Sequence, residues 1–291
     1  MALGAAVFSA GAYYLNRKSE KTVNGISIHH LELATNRNSN MAMTVYYPAS
    51  SKPVPLAVMV AGFNDDLTSG QRFIALAEKL AEVGIASVMF EHAGCGESKE
   101  SFENYTLTNN IVDLEAVYSY MLDNYRIDSE NMALIGYSMG GREAVLYSRI
   151  RPEFKTMVLL APALSVIGDG YMEAYFGGKL SYKLLEATAR RNGYAEFVEE
   201  GRTLKLSKGF FDDLREYDPL SALSAFEGSL LYVQGNEDEV VPPEVSGKAL
   251  QYLNHKAKLN YAYLDHIDHS FYPEDNIRMV NQLSEYLIKK L

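Results

Sequence analysis

Cysteine is almost missing from this chain: a single residue, Cys95, stands among 291. One thiol excludes an internal disulfide and any thiolate cage for a metal, and it is compatible with a reducing compartment. An excess of basic charge is missing too. Lys and Arg total 27 against 37 Asp and Glu, a formal net charge of -10, so nucleic acid has no electrostatic footprint to bind and an anionic membrane surface repels the domain as a whole. No repeat period or low-complexity tract occurs. The longest apolar opening, residues 2–15, is followed directly by Asn16-Arg17-Lys18 and falls short of the ~20 residues of a relaxed membrane span. It also lacks the positive n-region of a secretory signal, although Ala10-Gly11-Ala12 passes as a small-residue cleavage site. Residues 1–22 are therefore expected to be a signal, an anchor or a packed helix. The chain is then either cytoplasmic or membrane-tethered or exported through residues 1–15.

What remains is an ordinary globular composition, 47% apolar and 22% charged, which implies a packed core. The length suits one α/β domain over 23–291 with an inserted subdomain. Alternating residues at 26–33, then 41–47 after an Asn-rich turn, read as an antiparallel edge. His29 and His30 are neighbours on a strand, point to opposite faces and cannot chelate one metal. Continuous apolar runs at 55–61, 85–90, 132–137, 156–161 and 229–234 read as buried parallel strands, and 259–264 as the last one. Helical spacings lie between them: Phe73, Leu76, Leu80 and Val83, then Ile111, Leu114, Val117 and Met121, and finally Ile277, Val280, Leu283 and Leu287. Strand and helix in alternation mean a mostly parallel, doubly wound sheet of about eight strands, with ligands bound beyond the carboxyl ends of the strands.

The alternation breaks at 163–218, too long for a loop in a compact domain. Met172, Tyr175 and Phe176, then Leu180, Leu184 and Leu185, fit two amphipathic helices separated by Gly177-Gly178, and residues 197–206 around Glu200-Gly201 fit a hairpin. Placed after the sixth strand, this segment is expected to be a helical cap. Its Tyr171, Tyr175 and Phe176 are candidate aromatic walls for a substrate.

The stretch Gly136-Tyr137-Ser138-Met139-Gly140 ends an apolar strand and opens a helix. That is the pattern of a nucleophile elbow, with the serine on a strained turn at a helix N-terminus. A serine hydroxyl needs a base within hydrogen-bond reach, and the base needs an acid to orient it. Glu237, Asp238 and Glu239 follow one strand; His266 and His269 follow the next. Cys95 is flanked by glycines without a strand-to-helix turn and makes a poor nucleophile. The loop at 91–98 lacks the third glycine of a dinucleotide fingerprint, so no cofactor site is read there. Arg142, in the first turn after the elbow, is a candidate to pair with an acidic side chain or a substrate carboxylate.

Five blocks carry a resemblance: Gly62-Phe63, Gly94-Cys95-Gly96-Glu97-Ser98, Gly136 to Gly140, Gly235-Asn236-Glu237-Asp238-Glu239-Val240-Val241-Pro242, and Asp268-His269-Ser270-Phe271. From Gly25 onward the sequence resembles the α/β-hydrolases, and among them most the cinnamoyl (feruloyl) esterase-like serine hydrolases. It departs from those esterases in Met139, where Gln is usual, in Ala61-Gly62 for His-Gly, and in Cys95 for a common His. The resemblance implies an α/β-hydrolase fold and a serine esterase acting through an acyl-enzyme on small or aromatic acyl esters. It implies Ser138 as nucleophile, His269 as base, Asp238 as the orienting acid, and the backbone N–H groups of Phe63 and Met139 as oxyanion donors. The expected partner is a small-molecule ester, and no metal or organic cofactor is needed. Rival readings are a prolyl-oligopeptidase-like serine peptidase, a monoacylglycerol-type lipase and a non-catalytic binding protein of hydrolase fold.

Overall fold

Residues that can be buried on both faces make the middle of the sheet. The computed structural model describes residues 15–67, 71–168, 170–271 and 276–291. Its strands β4 (Val54–Val60), β5 (Ala86–Phe90), β6 (Ile127–Tyr137), β7 (Thr156–Leu160) and β10 (Ser229–Gly235) pair in parallel, and β5 and β7 are buried at every position. The edge strand β11 (Lys258–Leu264) pairs in parallel with β10. At the other side β1 (Leu15–Val23), β2 (Ile26–Ala34) and β3 (Asn40–Pro48) form an antiparallel meander that joins β5. Among the described residues the sheet has nine strands in the order β1-β2-β3-β5-β4-β6-β7-β10-β11.

The extra strand is β1. The sequence reading set residues 1–22 apart, yet residues 15–23 pair with β2 through a register that runs from Leu15 opposite Leu33 to Val23 opposite Ile26. The polar Lys21-Thr22 ahead of the Asn24-Gly25 turn hid a strand whose evidence is its pairing, not its apolar content. Both turn residues have positive φ, 52° and 80°, as a two-residue hairpin requires. Of the signal, anchor or packed helix expected over 1–22, residues 1–14 lie outside the described residues. Among those described, no helix is long and apolar enough to cross a membrane.

Helices cover both faces. On one side α1 (Gln71–Glu82) buries Phe73, Leu76 and Leu80 completely and packs with α9 (Asn276–Ile288), which buries Met279, Leu283 and Leu287. Each such side chain contributes about 2 kcal/mol over an exposed position. Val83 lies past the end of α1, and Ile277 faces solvent. On the other side α2 (Leu107–Asn124) begins at Thr106, whose hydroxyl accepts from the Asn109 N–H, and buries Ile111, Leu114, Val117 and Met121 as its spacing predicts. On the same face lie α3 (Met139–Ser148), buried along its whole length, and, over β10, α8 (Pro243–Leu250).

Between β7 and β10 the chain leaves the sheet. This excursion holds α4 (Tyr171–Tyr175), α5 (Lys179–Asn192), the hairpin β8 (Tyr194–Glu199) and β9 (Arg202–Ser207), then α6 (Lys208–Glu216) and α7 (Pro219–Ala225). The expected apolar face of α5 is wrong in phase. Leu180 and Leu184 are exposed, and the helix turns Tyr182, Glu186 and Ala189 inward. Glu186 is held there by Arg215 of α6, at 2.6 and 2.8 Å.

Candidate active site

The carboxyl ends of β4, β6, β7 and β10 lie level, since Val60 pairs with Gly136, Tyr137 with Leu160 and Leu160 with Val233. Ser138 follows Tyr137 at this edge with φ 52° and ψ -118°, outside the regions an ordinary residue adopts. Two glycines permit the turn. A Cβ on Gly136 would stand 2.5 Å from the Gly140 carbonyl oxygen, and one on Gly140 would stand 2.3 Å from the carbonyl oxygens of Val60 and Ala61. The serine N–H donates to the Leu160 carbonyl at 2.9 Å, fixing the turn to the neighbouring strand.

His269 arrives from the loop after β11. Its Nε2 lies 3.0 Å from the Ser138 hydroxyl and its Nδ1 2.8 Å from Oδ2 of Asp238, which follows β10. Tyr137 donates its hydroxyl to the His269 carbonyl at 3.0 Å and places its ring 5.1 Å from the imidazole. Asp238 is almost wholly buried. Its Oδ1 accepts from the N–H groups of Val240 and Val241, and its Oδ2 also accepts from the Gln234 amide at 2.9 Å. Gln234 is in turn held by the Ser246 hydroxyl. A carboxylate so fixed can hold one imidazole tautomer, with the proton on Nδ1 and the lone pair of Nε2 toward the serine.

The sequence rivals stand elsewhere. His266 is exposed and pairs with Glu237 at 2.9 Å, and Glu239 is exposed. A second histidine–carboxylate pair, His92 and Glu143 at 3.0 Å, is sealed behind the elbow, where the Asn110 amide also donates to Glu143. Burial alone would lower the His92 pKa, but the Glu143 carboxylate beside it turns the balance upward. Cys95 is buried, and desolvation pushes its thiol far up, so it is no nucleophile.

Ser138 and His269 open into a cavity of about 160 Å³, which Phe63, Met139, Tyr171 and Tyr175 also line. Met139 is the first residue of α3, so its N–H has no partner within the helix. The Phe63 ring packs against Phe102, Tyr105, Tyr175, Phe176 and Phe210 at 5.3–6.3 Å, which fixes the loop that carries its backbone N–H. Phe176 is buried behind Tyr175 and does not reach the cavity. Arg142 does not reach it either. The guanidinium is fully buried and donates to the carbonyls of Ser165 at 2.8 Å and Tyr217 at 3.1 Å, so it ties together the two ends of the excursion. In sequence this cation is a candidate partner for an acidic side chain or a substrate carboxylate; in the fold it also satisfies loop carbonyls that burial would otherwise orphan.

The wall residues that the sequence reading missed are acidic. Asp65, Glu199 and Glu200 line the cavity, and no Lys or Arg does among the described residues. Glu199 and Glu200 sit at the tip of the β8–β9 hairpin, where Glu200 and Gly201 both have positive φ. Arg202 anchors that tip, donating to the Asn64 side-chain oxygen at 2.6 Å and to the Gly94 carbonyl at 2.8 Å. Burial and then the neighbouring Glu200 raise the Glu199 carboxyl to about 7, against the opposing pull of Asn64 and Arg202, and the Tyr175 hydroxyl donates to it. The Glu-Gly turn was legible; which way its carboxylates point was not. Among the described residues no group of three or more His, Cys, Asp or Glu could hold a metal ion.

A parallel sheet of this order with a serine elbow at its edge defines an α/β-hydrolase, and the chain is a member of that superfamily. More narrowly, it belongs to the family described as serine aminopeptidase, S33, whose profile matches residues 51–204, just over half of the chain. No curated protein matches the sequence. Among solved structures it is similar to Est1E from Butyrivibrio proteoclasticus with ferulic acid bound (TM-score 0.70, 19% identity, 88% of this chain and 98% of that one). It is similar also to acetyl xylan esterase 1 from Thermoanaerobacterium sp. JW/SL YS485 (TM-score 0.65, 14% identity, 96% and 87%). A third is mouse alpha/beta hydrolase domain-containing protein 10 (TM-score 0.69, 17% identity, 89% and 98%). At these identities the likeness carries the fold.

Proposed function

We propose that the chain is a serine esterase that cleaves small or aromatic carboxylic esters through an acyl-enzyme. The observation that carries this reading is the unbroken hydrogen-bond sequence from Asp238 through His269 to Ser138 at the floor of a cavity. Ser138 attacks the ester carbonyl while His269 takes its proton, and Asp238 stabilises the resulting imidazolium. The N–H groups of Phe63 and Met139 receive the oxyanion, donors whose loss in such sites costs about a hundredfold or more. His269 returns the proton to the leaving alcohol, and water repeats the sequence to free the acid. The excursion, taken as a cap over residues 163–218, closes the cavity with Tyr171 and Tyr175. A volume of about 160 Å³ and aromatic walls suit a short acyl chain or a single ring.

A second reading is favoured by the three carboxylates in the wall and by the family's description. A cavity lined by Asp65, Glu199 and Glu200 without a cation suits a substrate with a protonated amine, as an aminopeptidase would take. Parallel assays on p-nitrophenyl acetate and aminoacyl p-nitroanilides separate the two readings. The esterase reading expects turnover of the ester and stoichiometric labelling of Ser138 by a fluorophosphonate. In Ser138→Ala the labelling disappears and kcat/KM falls by about 10⁴ or more. Faster turnover of anilide than ester would transfer the assignment to the peptidase, and an unlabelled wild-type chain would reject both.

A further inference from the structure

A second cavity, of about 180 Å³, lies on the β7 and β10 side of the first. Its lining is largely apolar, with Leu164, Leu220, Val245, Ala249 and Tyr252 among its walls. Tyr171 lines both cavities. It is the residue that the two linings share. Tyr171 is half-buried against the small apolar cluster of Ala163, Val241 and Val245. Ala163 faces the first cavity, and its chain neighbour Leu164 faces the second. Tyr171 also opens a five-residue helix bounded by Gly168 and Gly170 before it and Gly177 and Gly178 after it, all with positive φ between 83° and 106°. Glycines at both ends let this short helix be repositioned at little steric cost.

We propose that the second cavity is a subsite for an alkyl chain of the ester, and that Tyr171 sets chain length by standing between it and Ser138. The inference rests on the esterase reading given above. With Tyr171 in place a long chain meets the ring before it reaches the second cavity. With the ring removed, the chain continues from an acidic, aromatic chamber into an apolar one, and each methylene buried there is worth about 0.8 kcal/mol, or about fourfold in kcat/KM.

The test is the ratio of kcat/KM for p-nitrophenyl octanoate to that for the butanoate, in wild type, Tyr171→Ala and Tyr171→Phe. The expected result is a ratio about tenfold or more higher in Tyr171→Ala, with Tyr171→Phe keeping the wild-type ratio. A parallel series of acetates with lengthening alcohols tells which arm of the ester enters: a shift in either series supports the subsite and identifies the arm. Adding Val166→Trp, a bulky side chain at another residue of the second cavity's lining, should return the Tyr171→Ala ratio toward wild type. If it does not, the gain comes from a wider first cavity and the subsite is overturned. An unchanged ratio in both series, in a Tyr171→Ala protein that a fluorophosphonate still labels, overturns the subsite and leaves the esterase reading standing. A wild-type chain that the fluorophosphonate does not label overturns both.

Discussion

The elbow and the excursion between β7 and β10 meet at one cavity but are specified by different physics. At the elbow the backbone dictates residue type. No side chain fits at Gly136 or Gly140, and Ser138 is held at positive φ between them. In the excursion the backbone is permissive, and what matters is which face of each element packs. There α5 turns Tyr182 and Glu186 inward and leaves Leu180 and Leu184 in water. A backbone constraint leaves a signature in composition, because only glycine meets it. A packing constraint leaves only a phase, and phase has meaning once the position of the core is known.

The largest effect expected from this contrast is at Gly140. Gly140→Ala drives a Cβ into the carbonyl oxygens of Val60 and Ala61, both backbone atoms of a central strand and its turn, so nothing flexible can yield. Stability should fall by about 3 kcal/mol, read as the urea midpoint at constant slope. Fluorophosphonate labelling should slow with it, because the same shift moves Ser138 away from His269. A neutral Gly140→Ala would mean that the elbow is no more constrained than the excursion.

The same distinction decides what was legible in the sequence. The parallel strands, α2, and the elbow serine with the acid and histidine loops were readable, because apolar runs, helical spacing and glycine-bounded blocks are local. Two helices of the excursion went unread although their caps were in plain sight. Ser207 accepts from the Phe210 N–H to start α6, and Asp218 ahead of Pro219 accepts from Leu220 and Ser221 to start α7. Strand β1 went unread because its sequence is polar and its pairing is with β2. The acidic wall could not be read at all. Asp65 lies after β4, and Glu199 and Glu200 lie over a hundred residues later; only the tertiary fold brings them to one cavity. The carbonyl partners of Arg142 at 165 and 217 were not legible either, because they are set by where the excursion leaves and rejoins.

A smaller effect tests the excursion's side of the cavity. Glu199 has a folded-state pKa of about 7, above the ~4.3 of an unfolded glutamate. The folded chain therefore binds the proton more tightly than the unfolded one between those values. The stability this contributes is complete below the lower value and is lost as pH rises to the upper one. Glu199→Gln cannot ionise and keeps an acceptor for the Tyr175 hydroxyl. Its melting temperature should match wild type near pH 4.5, then exceed it by a margin that widens to pH 7 and stays constant beyond. Glu200, Asp65, Arg202 and His269 share the surroundings of this carboxyl. A constant difference across the whole range would mean that Glu199 does not hold its proton through this window.

The smallest expected effect lies at Leu184, where the two ways of reading the chain disagree outright. Helical spacing groups Leu180, Leu184 and Leu185 as a buried stripe, and a charge placed in such a stripe would cost several kcal/mol. In the fold Leu184 is 67% exposed, and α5 is held from its other face by Tyr182, Ala189 and the Glu186–Arg215 pair at 2.6 Å. Leu184→Lys therefore removes little buried area and disturbs no partner. Its urea midpoint should stay within about 0.5 kcal/mol of wild type. A loss of several kcal/mol would mean that this face is covered in solution and that the helix phase, not the sequence pattern, needs revision.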